Sequence, residues 1–352
     1  MFLLAALALS AAIDVVPPTG YPTASSPSLA IDRRGTAYVA FGQGSSIYVS
    51  SSDDLKQFSK PVKIAEVGAL ALGMRRGPRI AISGKTIAVS AVAGRQGRGK
   101  DENLYVWAST DRGVTWKGPA QVNDVAASAR EGLHGMAGGS SFFACTWLDL
   151  REKGTRLMMS TSPDGMTWGE NVEVYRSPDG SICECCHPSI AIDNMGSPTV
   201  MFRNSLGGNR DMYIVRARNA RSFNAAQKLG RGAWELGACP MDGGALALDS
   251  GGDPYSVWRR GDSVYSCKVG EEEKMLGKGQ NPWMVLRPVG PVYAWISEGR
   301  LMLLEPGATS AKVVSEKAND PVMAVAPDGW VVLAWTDLTG GSRIKAMKLG
   351  GV

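Results

Sequence analysis

The chain has 352 residues, of which 44% are hydrophobic and 20% are charged. This balance is enough for a packed core and excludes an intrinsically disordered chain. The net charge of +5 is small and no polybasic run occurs, so the charge pattern gives no indication of a nucleic-acid partner. Glycine is abundant at 43 residues and proline adds 19, a composition typical of many short strands joined by tight turns.

The N-terminal residues 1–12 read MFLLAALALSAA. An apolar run that ends in small residues is typical of a secretory signal peptide. We therefore expect an extracytoplasmic protein, periplasmic or secreted, with residues 13–352 as the mature chain; a buried strand is the alternative interpretation. No other segment approaches the about 20 apolar residues that a membrane-spanning helix requires, so we expect no membrane span after cleavage.

A hairpin pattern occurs seven times along the chain: a short alternating run, a turn with Gly or Asp, and a second apolar run. The copies begin near Ser28, Arg79, Gly135, Ser189, Gly243, Trp283 and Pro321. They recur about every 40 to 55 residues, a spacing typical of β-propeller blades. Since no apolar stripe of helical period persists, we predict an all-β, single-domain propeller over residues 13–352, with seven four-stranded blades, or with six as the fallback.

Shorter runs supply the outer strands of these units. Third strands are predicted at residues 104–108, 157–160 and 212–215, and fourth strands at Val172–Tyr175 and residues 312–314. The last unit ends without a fourth strand. We expect residues 13–16 to provide it and so to close the ring.

A characteristic turn sequence lies between third and fourth strands. Residues 109–116 read STDRGVTW and match the Asp-box pattern S-x-D-x-G-x-T-W, and shortened copies occur at residues 51–58, 162–168 and 219–223. In such a turn the Asp accepts backbone hydrogen bonds, the Gly takes a positive φ, and the aromatic ring packs between sheets. We expect these turns to be structural, at the end of the propeller away from the usual binding face.

With these turns the sequence resembles the sialidase superfamily of BNR or Asp-box propellers, over nearly the whole chain after the signal segment. The most specific stretch, residues 79–116, is similar to the family's segment from its FRIP arginine to its first Asp-box. The resemblance implies that Arg79 and Arg210 bind a substrate carboxylate and that Asp101 lies near the acid/base aspartate. Arginine suits this role because its planar fork makes two charge-assisted bonds to a carboxylate.

The chain departs from that family in its blade count and its tyrosines. Sialidases are six-bladed propellers and use a tyrosine nucleophile, whereas this chain has seven hairpins. Of the nine tyrosines, eight fall within predicted strands and only Tyr21 lies on a loop. Asp320 precedes the last inner strand, where the family's tyrosine is expected. The sequence therefore lacks an evident tyrosine nucleophile.

Many arginines lie on loops that lead into inner strands or at turns between second and third strands: Arg75, Arg76, Arg95, Arg98, Arg151, Arg203, Arg210, Arg259 and Arg260. A cleft lined with one sign of charge attracts a ligand of the opposite sign. We therefore predict a monomeric protein that binds or processes an anionic glycan, as an exo-α-sialidase-like glycoside hydrolase if it is an enzyme. Arg95 and Arg203 are further substrate-binding candidates, and Asp101 is a candidate acid if desolvation raises its pKa. A solvated rim is the alternative interpretation.

Loops that lead into three consecutive inner strands carry both histidines and four of the six cysteines. The candidate metal ligands among them are His134, Cys183, Cys185, Cys186, His187, Cys239 and Met241. Thiolate, thioether and imidazole together favour copper or zinc, so a metal-binding or redox propeller is the alternative function. Two other interpretations stay open: a disulfide from Cys183 or Cys185 to Cys239, and covalent haem at residues 183–187 (CECCH), where a tight turn leaves little room.

Overall fold

The computed structural model describes residues 11–17, 19–219 and 221–350. Most of the predicted signal peptide therefore lies outside the described residues. The described residues form strands and turns without helices, and none of them forms a helix that is long and apolar enough to cross a membrane. The strands are β1 (Ile13–Asp14), β2 (Ser25–Ile31), β3 (Ala37–Gln43), β4 (Ser46–Ser52), β5 (Val62–Glu66), β6 (Ala69–Leu70), β7 (Arg79–Ser83), β8 (Thr86–Gly94), β9 (Asn103–Ser109), β10 (Lys117–Gln121), β11 (His134–Gly138), β12 (Phe143–Asp149), β13 (Arg156–Ser162), β14 (Val172–Tyr175), β15 (Ser189–Ile192), β16 (Pro198–Arg203), β17 (Met212–Asn219), β18 (Ser222–Phe223), β19 (Gln227–Lys228), β20 (Ala245–Leu248), β21 (Pro254–Arg260), β22 (Ser263–Lys268), β23 (Lys274–Lys278), β24 (Gln280–Arg287), β25 (Gly290–Ser297), β26 (Arg300–Leu304), β27 (Lys312–Ser315), β28 (Ala318–Val325), β29 (Val331–Asp337) and β30 (Arg343–Leu349).

These strands form seven antiparallel sheets, which are the blades of a β-propeller. In chain order the blades are β2–β5, β7–β10, β11–β14, β15–β17 with β19, β20–β23, β24–β27, and β28–β30 with β1. Short β6 and β18 are added to the second and fourth blades. The prediction of seven four-stranded blades is confirmed, and the six-bladed fallback is not needed.

The N-terminal strand closes the ring. Ile13 pairs with Ala346 and Asp14 with Lys345, so β1 becomes the outer strand of the seventh blade. The Val15 N–H continues this ladder by donating to the Ile344 carbonyl at 2.8 Å. The innermost strands of consecutive blades contact one another, and β28 of the last blade contacts β2 of the first. The expectation that residues 13–16 complete the last unit is therefore confirmed.

Separate apolar clusters fill the spaces between neighbouring blades all the way round the ring. Because each blade packs between two others, its second strand is buried on both faces. Such strands read as nearly continuous apolar runs, as in β12 (FACTWLD) and β29 (VVLAWTD). Trp147 and Trp335 are the largest fully buried side chains in them. Burial of this apolar surface, worth about 25 cal/mol per Å², holds the blades together.

Two turns between third and fourth strands share one hydrogen-bond pattern. In the turn after β9, Ser109 Oγ accepts from the Gly113 N–H at 2.9 Å, and Asp111 accepts from the Thr115 N–H at 2.9 Å. The turn after β13 repeats both bonds, with Ser162 and Asp164 as the acceptors. Because adjacent strands are antiparallel, these turns lie at the opposite end of each blade from the start of its inner strand.

Candidate functional site

The end of the propeller where the inner strands begin has a recurring proline. Five inner strands start their regular pairing with the second strand at Ser28, Arg79, Ser189, Trp283 and Val322. A proline precedes each of them: Pro27, Pro78, Pro188, Pro282 and Pro321. Proline has no N–H to donate and so suits the first position of a strand. In the third blade the corresponding residue is Gly135, which pairs with Thr146, and the residue before it is His134 instead of a proline.

Arginine side chains at this end donate hydrogen bonds to backbone carbonyls. Arg75 donates to the Pro321 carbonyl at 3.1 Å and the Asn281 carbonyl at 2.5 Å, and its guanidinium lies over the Trp283 ring. Arg79 donates to the backbone carbonyls of Pro78 and Arg75. The space left beside these residues is about 10 Å³, scarcely room for one water molecule. Arg79, the predicted carboxylate-binding residue, is thus engaged with protein carbonyls.

Ionisable groups below the arginines are buried and shifted toward neutrality. Burial raises the pKa of Asp242 and of Asp320, although the nearby charge of Arg75 opposes the shift in both. Burial lowers the pKa of His134 well below its ordinary value and that of His187 to about 3. His134 Nε2 lies 2.8 Å from Ser90 Oγ, and His187 Nε2 donates to the Gly244 carbonyl at 2.9 Å. Both imidazoles are therefore neutral and hydrogen-bonded to adjacent blades.

An open cleft of about 630 Å³ lies at the same end of the propeller, between the second and third blades. Its ionisable lining is Arg76, Arg98, Arg130, Glu102 and Glu131. Arg76 Nε donates to the Glu131 carbonyl at 2.7 Å. Arg76 Nη1 and Arg130 Nε are buried and have no hydrogen-bond partner among the described residues. Buried donors without protein partners are rare in folded proteins.

Carboxylates hold the loop that carries Arg98. Asp101 accepts from the N–H groups of Arg95 at 3.0 Å and Gln96 at 3.1 Å. Glu102 accepts from the Gly99 N–H at 2.8 Å. Burial by itself raises the pKa of Asp101, but the backbone hydrogen bonds outweigh it and leave the pKa below its ordinary value. That shift is opposite to the one that a general acid needs, and the hydrogen bonds show that Asp101 fixes the shape of this loop.

The pKa of Glu131 is shifted in the opposite direction from that of Asp101. It is half-buried on the loop before β11, and desolvation raises its pKa. Arg76 and Arg130 oppose the shift, whereas the negative charges of Glu184 and Glu102 add to it. Sequence reasoning did not select Glu131, Glu102 or Arg130. The only sequence signal was their position. Arg130 and Glu131 lie just before the inner strand of the third blade, and Glu102 lies directly before the third strand of the second blade.

The other arginines predicted to bind substrate lie elsewhere. Arg203 is 1% exposed, and it donates to the carbonyls of Asp242 and Arg259 at 2.9 Å and of Arg210 at 2.6 Å. With the bond from Nε to the Asp242 carbonyl, four of its five N–H donors are engaged with protein carbonyls. Arg210 is half-buried in the fourth blade and does not line the cleft. Arg95 is exposed on the loop beside the cleft.

The predicted metal ligands are brought together only in part. Cys183 Sγ lies 3.6 Å from Cys185 Sγ and 3.5 Å from Cys186 Sγ, and Met241 packs against the three. Cys239 is exposed and lies outside this group, as do the ring nitrogens of His134 and His187. All six cysteines are free thiols in the structure, so the predicted Cys183–Cys239 or Cys185–Cys239 staple is not formed. Cys183, Cys186 and His187, the residues of the haem-attachment pattern, are all buried.

No protein-family model matches the sequence, and no curated protein matches it. Solved structures resemble it along its whole length. An α-L-arabinanase from Penicillium chrysogenum, complexed with arabinobiose, has a TM-score of 0.56 and 14% identity, over 97% of this chain and 98% of that one. Virginiamycin B lyase from Staphylococcus aureus has a TM-score of 0.58 and 9% identity, over 98% of this chain and 100% of that one. The polysaccharide lyase Uly1 has a TM-score of 0.53 and 8% identity, over 99% and 98%. At these identities the similarity shows the propeller fold.

Proposed function

We propose that the protein binds and hydrolyses an anionic glycan in the cleft between its second and third blades. The observation that carries this proposal is Glu131, a half-buried carboxyl of raised pKa, in a cleft of about 630 Å³ that is also lined by Arg76, Arg98 and Arg130. A raised pKa favours the protonated form of a carboxyl, which is the form that donates in general acid catalysis. The arginines suit the carboxylate or sulfate groups of the ligand.

In this proposal two carboxyl groups divide the chemistry. Glu131 donates its proton to the oxygen of the leaving sugar. Glu184 is exposed and lies outside the residues that line the cleft, but its charge acts on Glu131, and we assign it the role of taking a proton from the attacking water. One water molecule is consumed and one glycosidic bond is broken, with the protons balanced between the two carboxyl groups. Asp101 and Glu102 act as positioning residues, because they fix the loop that carries Arg98.

Fold similarity supports a carbohydrate ligand by analogy, since an arabinanase and a polysaccharide lyase share the architecture. The resemblance to sialidases adds the expectation of an acidic sugar. The proposal departs from the family's residue pattern, because Arg79 and Arg203 are engaged with protein carbonyls. We place the activity outside the cytoplasm, in a monomer, as the N-terminal apolar run and the sequence expectation indicate.

The test is release of new reducing ends from a panel of sialylated, uronate-containing and sulfated glycans, with a fluorogenic sialoside beside it. We expect turnover of at least one anionic glycan and a loss of about 10²-fold or more in the Glu131→Gln variant. Glu298→Gln is the matched control, because Glu298 is exposed and forms an ion pair with Arg300 away from the cleft. Equal activity of Glu131→Gln and wild type, or no turnover and no binding across the panel, contradicts the proposal.

A further inference from the structure

We propose that Cys183, Cys185 and Cys186 bind one thiophilic cation, copper(I) or zinc(II), at a site separate from the cleft. The proposal does not depend on the proposed glycan hydrolysis. It rests on three buried sulfur atoms from one short loop, which lie within 4.8 Å of one another. A fourth sulfur, the thioether of Met241 from the loop before the fifth blade, belongs to a residue packed against them.

The spacing of the sulfur atoms fits a shared metal ion. Around a tetrahedral ion with metal–sulfur bonds of about 2.3 Å, neighbouring sulfurs are about 3.8 Å apart. The distances from Cys183 Sγ, 3.5 and 3.6 Å, are close to that value. A disulfide needs about 2.05 Å and joins only two sulfurs, so any pairing within this loop leaves one buried thiol unused. One cation accommodates all three.

The surroundings compensate the charge that such a site carries. Cys186 accepts a hydrogen bond from the Asp242 backbone and lies within electrostatic reach of Arg203. Arg203 is buried and held by carbonyl oxygens, so its positive charge is fixed beside the sulfurs. Three thiolates and a zinc ion have a net charge of −1, which Arg203 balances. A buried site of this kind is tolerated only when its charge is compensated.

The soft character of the donors selects the class of cation. Thiolate and thioether sulfur favour copper(I) and zinc over hard ions such as magnesium or calcium, which take oxygen ligands.

The backbone of Met241 has a φ of 58°, which is uncommon for a residue other than Gly. Such a conformation persists where the surrounding structure fixes it, here at the residue that packs on the cysteines.

The experiment measures the metal content and the metal affinity of the full chain. Protein purified under reducing conditions is stripped with a chelator and titrated separately with zinc(II) and with copper(I), with elemental analysis of the stoichiometry. We expect one tightly bound equivalent of one of these ions and an upward shift of the thermal midpoint on binding. Cys185→Ser is expected to weaken binding by about tenfold or more. Cys267→Ser, which removes a buried cysteine of the fifth blade, is expected to bind as wild type does.

Met241→Leu keeps the apolar volume and tests the thioether without removing a cysteine, which guards against a Cys185→Ser variant that fails to fold. If Met241→Leu binds copper(I) more weakly and zinc(II) as wild type does, the site is assigned to copper. Equal weakening of metal binding in Cys267→Ser and Cys185→Ser contradicts the proposed site. A peptide map of the unreduced protein that shows a disulfide between any two of the three cysteines overturns the proposal. So does a stripped wild-type protein that takes up neither ion.

Discussion

Arg75 in the second blade donates a hydrogen bond to the carbonyl oxygen of Pro321 in the seventh blade, at 3.1 Å and across 246 residues of chain. A second donor of the same guanidinium binds the Asn281 carbonyl of the sixth blade. One side chain therefore joins three blades, from the loop whose residues Met74 and Arg76 line the cleft. Its charge also lowers the cost of the buried Asp320 and Asp242 carboxyls.

Replacing Arg75 by Met removes the hydrogen bonds to the Pro321 and Asn281 carbonyls and the charge that opposes the pKa shifts of the two carboxyls. A hydrogen bond from a charged group is worth about 1.5–3 kcal/mol, so we expect the free energy of unfolding to fall by at least about that amount. Urea-induced unfolding measures it. Arg231→Met is the control, because Arg231 is 80% exposed in a surface ion pair and its loss should cost less than about 1 kcal/mol. Equal midpoints for the two variants would show that Arg75 does not hold the ring.

Gly138→Ala tests how closely the second and third blades approach. A Cβ at Gly138 would overlap the backbone carbonyl of Ile82, which cannot move without displacing β7. We expect a loss of about 1–3 kcal/mol in the free energy of unfolding, as in overpacked cores. Gly237→Ala is the control, since a Cβ there meets no atom within 4 Å. Thermal and urea unfolding of both variants decide the matter, and an unaffected Gly138→Ala contradicts the packing described.

His134 should make stability depend on pH. Burial is the largest cause that holds its pKa well below 6.5, and the charges of Arg79 and then of His187 lower the pKa further. The hydrogen bond with Ser90 acts in the opposite direction and raises the pKa. Below pH about 6.5 His134 therefore binds a proton in the unfolded chain but stays neutral in the folded chain. The His134 contribution is complete above that pH and is lost as the pH falls toward the folded pKa.

The His134→Asn variant isolates this contribution, because other groups titrate alike in both proteins. Asp242 and Asp320 act in the opposite sense, since their raised pKa values favour the folded state at low pH. Urea midpoints at several pH values between about 7.5 and 4.5 are expected to fall less steeply in His134→Asn than in wild type. Parallel curves would mean that His134 is protonated in the folded protein.

Arg98 should contribute to binding of an anionic oligosaccharide in the cleft. Loss of one charge-assisted hydrogen bond is worth about 1.5–3 kcal/mol, so we expect Arg98→Gln to weaken binding of an oligogalacturonate by about tenfold or more. Raising the salt concentration should weaken wild-type binding too, because salt screens exposed charges. Calorimetric titration measures both effects. Arg33→Gln, on an exposed turn at the opposite end of the first blade, should bind as wild type does; equal affinities of both variants would exclude Arg98 from the site.

The amino-acid sequence alone determined the blades. Alternating apolar runs and Gly- or Asp-containing turns are local signals, and they predicted the seven inner hairpins and the ring closure by residues 13–16, which pair with β30. Strand predictions such as Val172–Tyr175 were correct to the residue. Local signals suffice here because a blade is assembled from strands adjacent in the chain.

Only the tertiary structure decided which side chains meet in the cleft and at the channel. Arg76 and Glu131 are 55 residues apart and come together through the packing of two blades. The sequence placed Arg203 and Arg79 on loops or turns at the channel end, where the structure has them as the last residue of β16 and the first of β7, and it did not show that their donors are engaged with protein carbonyls. It also did not show that Cys239 is exposed while Cys185 is buried. Hydrogen-bond partners and burial depend on the angle and depth at which neighbouring blades pack, and periodicity along one chain segment carries no information about either.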